Sequence, residues 1–451
     1  MNKIIRHTLL GVLALMAGTA DLWANSAIYA CGHIRRERET AIPALKASGY
    51  TTAIIFNVTV EEDGTLITDY DWANQRPAEA GGIICKDGKY VFGEYQPHFA
   101  DDVKSLLEAP TSISRVEFCI GGWGNGSYGK VAKLIAAHGT GPETTLYKNF
   151  KALKEAIPEV VAINDDQEQD YDVNAATAFH RMLAQIGYKT TIAPYTQKSF
   201  WQQLVANLNA EKEICDLVYL QTYGGGAYNN PNDWKVFGNL PMYVGFDNES
   251  SSDLSDMKTR FTDWRDNAGA EGGFIWNYNN ESRNLNQWAT AINRIFPPKK
   301  VEETIATVYD KSNFNGNAYT LPAGEFSQGE MSLYGVQGKD IVSFELKDGY
   351  ELTFYYGDTF DGTNKTWTES SKNVGPSWFK RACSIKIMPA DTGVGSVESA
   401  GERVIEVFDI LGRRIAEECT GLSAELYTAQ KNLPSGIYVV KADGKTVKVV
   451  R

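Results

Sequence analysis

The first two thirds of the chain alternate short apolar runs with amphipathic stretches, and this repeat constrains the fold more than any other feature. Eight apolar runs of strand length fall between residues 25 and 298. Strands that alternate with helix-length segments are typical of a parallel sheet. Eight such units in about 275 residues predict one α/β domain, a closed (β/α)8 barrel over residues 25–299. The predicted strands are 27–31, 53–58, 115–121, 160–166, 190–193, 217–222, 241–246 and 273–276, and helices are predicted at 150–156, 175–186 and 285–295.

The remaining sequence predicts two small all-β domains after the barrel. Residues 301–389 are rich in Gly, Tyr, Phe and Ser and carry short alternating strands without helical periodicity. Residues 390–401 are small and polar, which indicates a linker, and residues 402–451 form a last short β-unit. A faint duplication marks the first of these domains, because Tyr-x4-Phe-x-Gly occurs at residues 309–316 and again at 355–362. We interpret the two copies as paired Greek-key hairpins.

Residues 1–24 have the layout of a cleaved secretory signal peptide. A basic start is followed by the apolar residues 9–17 and by a small residue, Ala24, at the expected cleavage point. The apolar segment is too short for a stable membrane span, although a membrane anchor is the alternative interpretation. We therefore expect an exported chain, located outside the cell or at its surface, whose mature form does not insert into a membrane.

Composition excludes some partners and leaves others open. A net charge of -12 argues against nucleic acid as the main partner. The six cysteines include no Cys-x-x-Cys pair and the five histidines form no constellation, so we expect neither a metal site nor a cofactor. His180 lies in a helix pattern and is expected at the surface or in a structural role. Aromatic residues make up 12% of the chain, which suits sugar rings but equally suits β-rich cores.

A row of polar side chains follows the fourth predicted strand. Because side chains on a strand point alternately to its two faces, Asn164, Asp166 and Glu168 are expected on one face. The C-terminal ends of barrel strands are where (β/α)8 enzymes keep their reactive groups. Two neighbouring acids there could serve as a proton donor and the group that tunes it. The alternative is a solvated acidic loop, since further aspartates follow closely.

The barrel resembles glycoside hydrolase family 18, the chitinases and endo-β-N-acetylglucosaminidases. The likeness lies in four pieces that occur in the family's order. These are a third-strand motif (Cys119, Gly121, Gly122, Trp123), a strand-four signature (Asn164, Asp166, Glu168), a sixth-strand pair (Gln221, Tyr223) and an eighth-strand Trp276. Tyr195, Asp247 and Asn248 follow other strands and are weaker candidates, for which an ordinary loop position is the alternative.

The resemblance implies a role for each of these residues. Glu168 would protonate the leaving glycosidic oxygen, and Asp166 would orient the substrate's own 2-acetamido group, which attacks the anomeric carbon in place of a protein nucleophile. Tyr223 would bind the acetamido carbonyl, and Trp276 would stack beneath the sugar. Asn164, Gln221, Gly121, Gly122 and Trp123 would complete the substrate site.

The sequence also departs from the family pattern. Val161 and Asn164 stand where the family signature has its first two aspartates, Gln167 replaces an aromatic residue, and Cys119 replaces a serine. Asn164 cannot hold a charge or share a proton with Asp166. The resemblance still implies an exported, monomeric hydrolase that cleaves β-1,4 bonds beside N-acetylglucosamine. The alternative is a lectin-like barrel that binds such glycans without cutting them; a third hypothesis makes the barrel a scaffold for the β-module.

Residues 301–389 resemble a βγ-crystallin domain through the paired motifs and the later Ser343 and Ser384. Members often bind calcium through adjacent Asn or Asp residues, but here those positions are Gly338-Lys339 and Phe379-Lys380, so we expect a weak calcium site or none. Residues 402–451 resemble the C-terminal sorting domain of type IX secretion, which implies the outer-membrane export machinery as a partner. A small β-sandwich without an export role is the alternative.

Overall fold

The structure is a computed structural model that describes most of the chain. The described residues are 25–31, 33–68, 70–71, 76–77, 82–249, 253–278, 285–297, 303–337, 339–390, 403–409, 414–420, 437–442 and 445–450. The predicted signal peptide, and all of the predicted linker except residue 390, lie outside these ranges. The chain separates into two compact units, Met1–Pro389 and Ala390–Arg451.

Eight parallel strands close into a barrel, as the alternating pattern predicts. The first strand pairs with both the second and the last, Ala27 opposite Thr52 and Ser26 opposite Gly273, and this double pairing closes the sheet. The strands alternate with helices and their apolar residues form the main core. They are β1 Ser26–Ala30, β2 Thr52–Val60, β3 Arg115–Gly121, β4 Ala162–Asp166, β5 Lys189–Ile192, β6 Cys215–Leu220, β7 Met242–Asp247 and β8 Gly272–Tyr278.

The helices around the barrel have clear end signals. In the helix Val173–Ile186, the Asp172 side chain accepts hydrogen bonds from two backbone amides at the start, and Gly187 ends the helix in the left-handed conformation. The same pair of signals, Asp253 and Gly269, bounds Leu254–Ala268. The helices are α1 His33–Arg36, α2 Arg38–Lys46, α3 Phe99–Ser105, α4 Ser127–His138, α5 Thr145–Ala156, α6 Val173–Ile186, α7 Lys198–Leu208, α8 Leu254–Ala268 and α9 Leu285–Ile295.

An antiparallel insertion after β2 is absent from the sequence-based expectation. The short strands Leu66–Ile67, Ile83–Lys86 and Lys89–Tyr90 extend the sheet from the end of β2, where Thr59 pairs with Ile67. A separate two-stranded pair joins Tyr70–Asp71 to Arg76–Pro77. These strands have two to four residues each, too few for a readable alternation.

The second part of the larger unit consists of two antiparallel sheets packed on one core. The three-stranded sheet runs in the order β10, β9, β12 and the four-stranded sheet in the order β11, β15, β13, β14. Their strands are β9 Ala306–Tyr309, β10 Ala318–Leu321, β11 Gly324–Phe326, β12 Ser343–Leu346, β13 Tyr350–Tyr355, β14 Asn364–Trp367 and β15 Ser384–Pro389. We call residues 303–389 the β-module.

The two aromatic motifs of the β-module make equivalent contacts. The Phe314 and Phe360 amides donate to the Ser343 and Ser384 hydroxyls over 3.1 Å and 2.9 Å. Each phenylalanine has a positive φ, 60° and 63°, and packs against the tyrosine that opens its motif at 5.8 Å and 6.0 Å between ring centroids. The faint duplication read from the sequence is therefore a structural duplication.

The expectation that the β-module lacks helices is wrong in one place. A short helix, α10 Gln328–Leu333, begins at a capping box in which Ser327 and Glu330 exchange hydrogen bonds. This helix docks on the barrel: the Asn293 amide donates to the carbonyl oxygens of Ser332 and Gly49 at 3.0 Å and 2.8 Å. Gly49 lies on the segment that leads into β2, which begins at Thr52. The β-module therefore contacts the barrel at the N-terminal end of its strands.

The smaller unit contains one antiparallel sheet of four strands. They are β16 Arg403–Asp409, β17 Arg414–Thr420, β18 Ile437–Ala442 and β19 Lys445–Val450, in the spatial order β17, β16, β18, β19. Within the part of the chain that the structure describes, no helix is long and apolar enough to cross a membrane.

Candidate active site

The acidic row at the end of β4 points alternately inward and outward. Asp165 faces outward, where its Oδ2 lies 2.8 Å from Nε2 of the buried His180 on α6. Asn164 and Asp166 face the barrel interior and are both buried. Glu168 lies two residues past the strand and shares a cleft with Asp166. The alternation expected from the sequence therefore describes this strand, and His180 has a structural position rather than a surface one.

The cleft at the C-terminal ends of the strands has a volume of about 380 Å³. Seven of the nine residues to which the resemblance assigns a role line it, and they come from four strand ends. They are Gly122 and Trp123 after β3, Asp166 and Glu168 at β4, Gln221 and Tyr223 after β6, and Trp276 on β8. Phe56, Gly224, Gly225 and Asp247 complete the lining.

Two glycines allow β3 to approach the end of β4. Gly121 has a φ of 109°, and a Cβ there would stand 2.2 Å from the Asp166 carbonyl oxygen. Gly122 has a φ of 95°, its amide donates to that same oxygen over 2.7 Å, and a Cβ there would stand 2.9 Å from the Phe56 ring. Gly121 thus packs behind the cleft while Gly122 lines it. The Gly-Gly pair serves to seat the Asp166 backbone.

Gln221 holds the carboxylate of Asp166 in place. Its Nε2 donates to Asp166 Oδ1 over 2.9 Å and to the Ala193 carbonyl oxygen over 3.0 Å. The neighbouring Thr222 points away from the cleft, where its hydroxyl donates to the Gly245 carbonyl oxygen. Gln221 and Tyr223 therefore face the cleft from alternate positions of an extended segment just after β6, which ends at Leu220.

Burial raises the pKa of both acids, and charge repulsion adds to the shift of Asp166. Burial raises the pKa of Asp166 well above its usual range, and the negative charges of Glu168 and Asp165 raise it further, while the Gln221 hydrogen bond opposes them. Burial also raises the pKa of Glu168. Tyr223 is a neutral hydroxyl, because burial and the nearby Asp166 raise its pKa well above the usual value. Because the two acids interact, their protons are lost in two steps that belong to the pair.

An aromatic wall closes one side of the cleft. The Trp276 ring packs edge-on against Phe56 at 4.9 Å between centroids and against Tyr29 at 5.1 Å. Asn248 fixes the backbone around Trp276. Its backbone amide donates to the Trp276 carbonyl oxygen, and its side-chain Oδ1 accepts from the Asn277 backbone amide, both at 2.9 Å. Trp276 is thereby fixed with its ring in the cleft.

Two of the nine residues to which the resemblance assigns a role do not line the cleft. Gly121 is the backbone support described above. Asn164 lies deeper in the barrel, where its Oδ1 accepts from the Tyr29 hydroxyl and its Nδ2 donates to the Thr191 hydroxyl, each over 2.9 Å. Both of its amide atoms are engaged there, so Gln221, not Asn164, makes the hydrogen bond to Asp166 that the structure records.

Sequence reasoning missed Phe56 and Tyr29 and gave Asp247 and Tyr195 little weight. Phe56 stands near the C-terminal end of β2, the position where barrel strands carry site residues, and this was the available signal. Asp247 ends β7 in the same way and lines the cleft. Tyr195 is half-buried, and its hydroxyl lies 3.5 Å from the Glu168 carbonyl oxygen. Among the described residues, no group of three or more His, Cys, Asp or Glu could hold a metal ion.

Comparisons with known proteins extend to a part of the chain. No protein-family model matches it, and no curated protein does. Similar solved structures include a βγ-crystallin domain from Flavobacterium johnsoniae, 25% identical over 20% of this chain and 98% of that chain, with a TM-score of 0.19. Another, from Clostridium beijerinckii, is 24% identical over 19% of this chain and 97% of that one, with a TM-score of 0.18. The N-terminal domain of protein S is 22% identical over 19% and 97%, with a TM-score of 0.19. At these TM-scores the likenesses carry no argument about the barrel or its cleft.

Proposed function

We propose that the barrel is a glycoside hydrolase that cleaves β-1,4 bonds next to N-acetylglucosamine with retention of configuration. The observation that carries this proposal is the shared cleft of Asp166 and Glu168, both with raised pKa values, beside a fixed tryptophan. A general acid for a glycosidic bond must keep its proton near neutral pH, and burial raises the pKa of Glu168 in that direction.

Each group has a step that its position supports. Glu168, half-buried at the cleft, gives its proton to the leaving glycosidic oxygen. Asp166, held by Gln221, accepts the N–H of the substrate's 2-acetamido group and so directs that group's oxygen to the anomeric carbon. The neutral Tyr223 hydroxyl donates to the acetamido oxygen, and the Trp276 ring supports the apolar face of the sugar. Water then opens the cyclic intermediate, with Glu168 taking back a proton.

Glu168→Gln tests the assignment directly. The change keeps the size of the side chain and removes the proton, so we expect hydrolysis to fall by about 10²- to 10⁴-fold with glycan binding retained. The measurement is fluorogenic release from an N,N'-diacetylchitobiose derivative, together with cleavage of a high-mannose glycopeptide. Glu62→Gln is the matched control, since Glu62 is exposed on the loop after β2 and lies outside the cleft lining. A Glu168→Gln protein as active as wild type contradicts the role of Glu168.

A lectin-like barrel is the second candidate, and Asn164 favours it. The position carries no charge, and its amide is engaged with Tyr29 and Thr191, so Asp166 has no carboxylate partner below it with which to exchange a proton. In this case wild type and Glu168→Gln both bind chitobiose and neither hydrolyses it. Turnover by the wild type decides between the two functions.

We propose further that the β-module is βγ-crystallin-like and that the smaller unit is an export domain. The equivalent Phe–Ser contacts in the two halves of the β-module support the first statement. The second statement is supported by the single four-stranded antiparallel sheet of the smaller unit, which is typical of a small β-domain. Deleting residues 402–451 tests the second: an export role predicts accumulation inside the cell with unchanged activity in extracts.

A further inference from the structure

A chain of hydrogen bonds runs through the barrel interior below the cleft. The Tyr29 hydroxyl donates to Asn164 Oδ1, Asn164 Nδ2 donates to Thr191 Oγ1, and Thr191 Oγ1 donates to Glu117 Oε2 over 2.6 Å. The four residues come from four strands, β1, β4, β5 and β3, and all four are fully buried. We call this chain the polar column.

Glu117 ends the polar column with a complete set of donors. Its Oε1 accepts from Arg115 Nε at 2.6 Å and from the Tyr219 hydroxyl at 3.1 Å. Arg115 in turn donates from both terminal nitrogens to Asp216, at 3.1 Å and 2.9 Å. A carboxylate accepts hydrogen bonds but donates none, so Glu117 leaves Thr191 only one way to point its proton.

The direction of every other proton in the polar column follows from that restriction. Thr191 gives its only proton to Glu117, so it must accept from Asn164, and the Asn164 amide must turn its nitrogen to Thr191 and its oxygen to Tyr29. The Tyr29 proton is then used by Asn164. The Tyr29 oxygen is left with its lone pairs, the negative end of the hydroxyl dipole. The Tyr29 ring packs against Phe56 and Trp276, which line the cleft together with Asp166. Burial raises the pKa of Tyr29, and the Asp166 charge raises it further.

We propose that Glu117 is a positioning residue, whose buried carboxylate orders the polar column and thereby keeps the Tyr29 proton away from Asp166. The proposal deepens the proposed function and rests on it, because it assigns a cause to the proton affinity of the Asp166 and Glu168 pair. It also accounts for Asn164: an aspartate there could not donate to Thr191, and it would place a second carboxylate above Glu117.

Glu117→Gln is expected to reverse the direction of each hydrogen bond in the polar column. Arg115 and Tyr219 are both donors, so the glutamine keeps its oxygen toward them and turns its amide nitrogen to Thr191. Thr191 then accepts from that nitrogen and donates upward, the Asn164 amide turns over, and the Tyr29 proton becomes free to face Asp166. A donor facing a carboxylate favours its charged form, so the pKa of Asp166 falls. Loss of the Glu117 charge acts in the same direction.

Other groups around Asp166 stay unchanged in this variant. Those that interact with it are Asp165 and Glu168 on its own segment, Tyr29 from β1, Cys119 from β3, Tyr128 from α4, Tyr195 after β5, and Gln221 and Tyr223 after β6. Around Glu117 the interacting groups are Arg115, Thr191, Cys215, Tyr219 and Tyr243, and Asp216 is bound to Arg115. Only Tyr29 is common to the column and the Asp166 surroundings.

The experiment is a pH titration of the full-length protein without ligand. Trp276 lines the cleft with both acids, so its fluorescence, taken as the difference from the same protein carrying Trp276→Phe, follows their ionisation. We expect Glu117→Gln to lower the Asp166 midpoint by about one pH unit. Asp216→Asn is the matched control: it also removes one charge from Arg115 but leaves the polar column intact, and we expect a shift of less than about 0.2 units.

Equal shifts in the two variants, or no shift in Glu117→Gln, overturn the proposal. If Glu117→Gln does not fold, Thr191→Val carries the test, because it cuts the polar column and keeps the pair of Glu117 with Arg115; the midpoint falls if the column matters and stays if it does not. In an active wild type, the acid limb of the kcat profile moves with the midpoint while KM stays within about twofold. An inactive wild type contradicts the proposed function, and the titration still decides the role of Glu117.

Discussion

The two ends of the barrel interior each bury a carboxylate, and they treat it in opposite ways. At the base, Glu117 accepts three hydrogen bonds, one of them from the Arg115 guanidinium. At the cleft, Asp166 has one recorded side-chain donor, Gln221, and two acids beside it. A buried charge with a full set of partners is a structural element, whereas a buried charge among like charges is unstable and is retained for its chemistry. Burial alone therefore does not mark a functional acid. The hydrogen-bond donors and charges around the buried carboxylate do.

Removing the carboxylate at the base is the largest expected effect. Glu117→Ala leaves the Arg115 guanidinium partly buried with Asp216 alone, and leaves the Thr191 and Tyr219 hydroxyls without their acceptor. We expect the free energy of unfolding to fall by about 3–5 kcal/mol, as for other broken buried pairs. Urea unfolding followed by circular dichroism measures it. A loss below about 1 kcal/mol would mean that the hydrogen bonds and the ion pair of Glu117 contribute little to stability.

Removing the charge at the cleft should have the opposite sign. Asp166→Asn keeps the shape and removes the repulsion with Glu168, so we expect the free energy of unfolding at pH 7 to rise. Under the proposed function, we expect the same variant to lose hydrolytic activity. A loss of stability in Asp166→Asn contradicts the assignment of Asp166 as a strained group.

The stability of the wild type and of Asp166→Asn should also depend differently on pH. The folded-state pKa of Asp166 is raised, so the native protein binds its proton more tightly than the unfolded chain does. Stability from this group is therefore complete below the unfolded value, near pH 4, and falls as pH rises toward the folded value. Thermal unfolding from pH 4 to 8 should show the decline in wild type and a smaller one in Asp166→Asn. Parallel curves would show that Asp166 is not the group responsible.

The acids at the cleft could be predicted from the sequence more fully than Glu117 at the base. The apolar run before Asn164 identifies a strand, and its period of two places Asp166 inward, so the acid row could be read without coordinates. Glu117 offers no such signal: Arg115-Val116-Glu117 is also the pattern of a strand that starts at the surface with its charges in water. Only the closure of the sheet brings Thr191 and Tyr219, from β5 and β6, onto Glu117.

The same limit explains the missed insertion and the missed helix. Leu66–Ile67 and its partners are strands only because the edge of β2 pairs with them, a contact that local sequence does not contain. The helix Gln328–Leu333 has its start written in the sequence as Ser327 and Glu330, yet its six residues are too few for a helical period to stand out. End signals were more informative there than periodicity.

The smallest expected effect separates the rim of the cleft from both buried ends. Trp123 lines the cleft but is 78% exposed, so its ring contributes little to folding. Under the proposed function, this ring stacks on a sugar unit beyond the one at Trp276. We expect Trp123→Ala to raise KM about three- to tenfold, with kcat and the melting temperature nearly unchanged, because a stacked ring contributes about 0.5–1.5 kcal/mol. Tyr228→Ala is the control, since Tyr228 is also a large aromatic residue and is fully exposed but does not line the cleft. Equal changes in KM for the two variants would mean that exposed aromatic surface in general, rather than the cleft rim, holds the glycan.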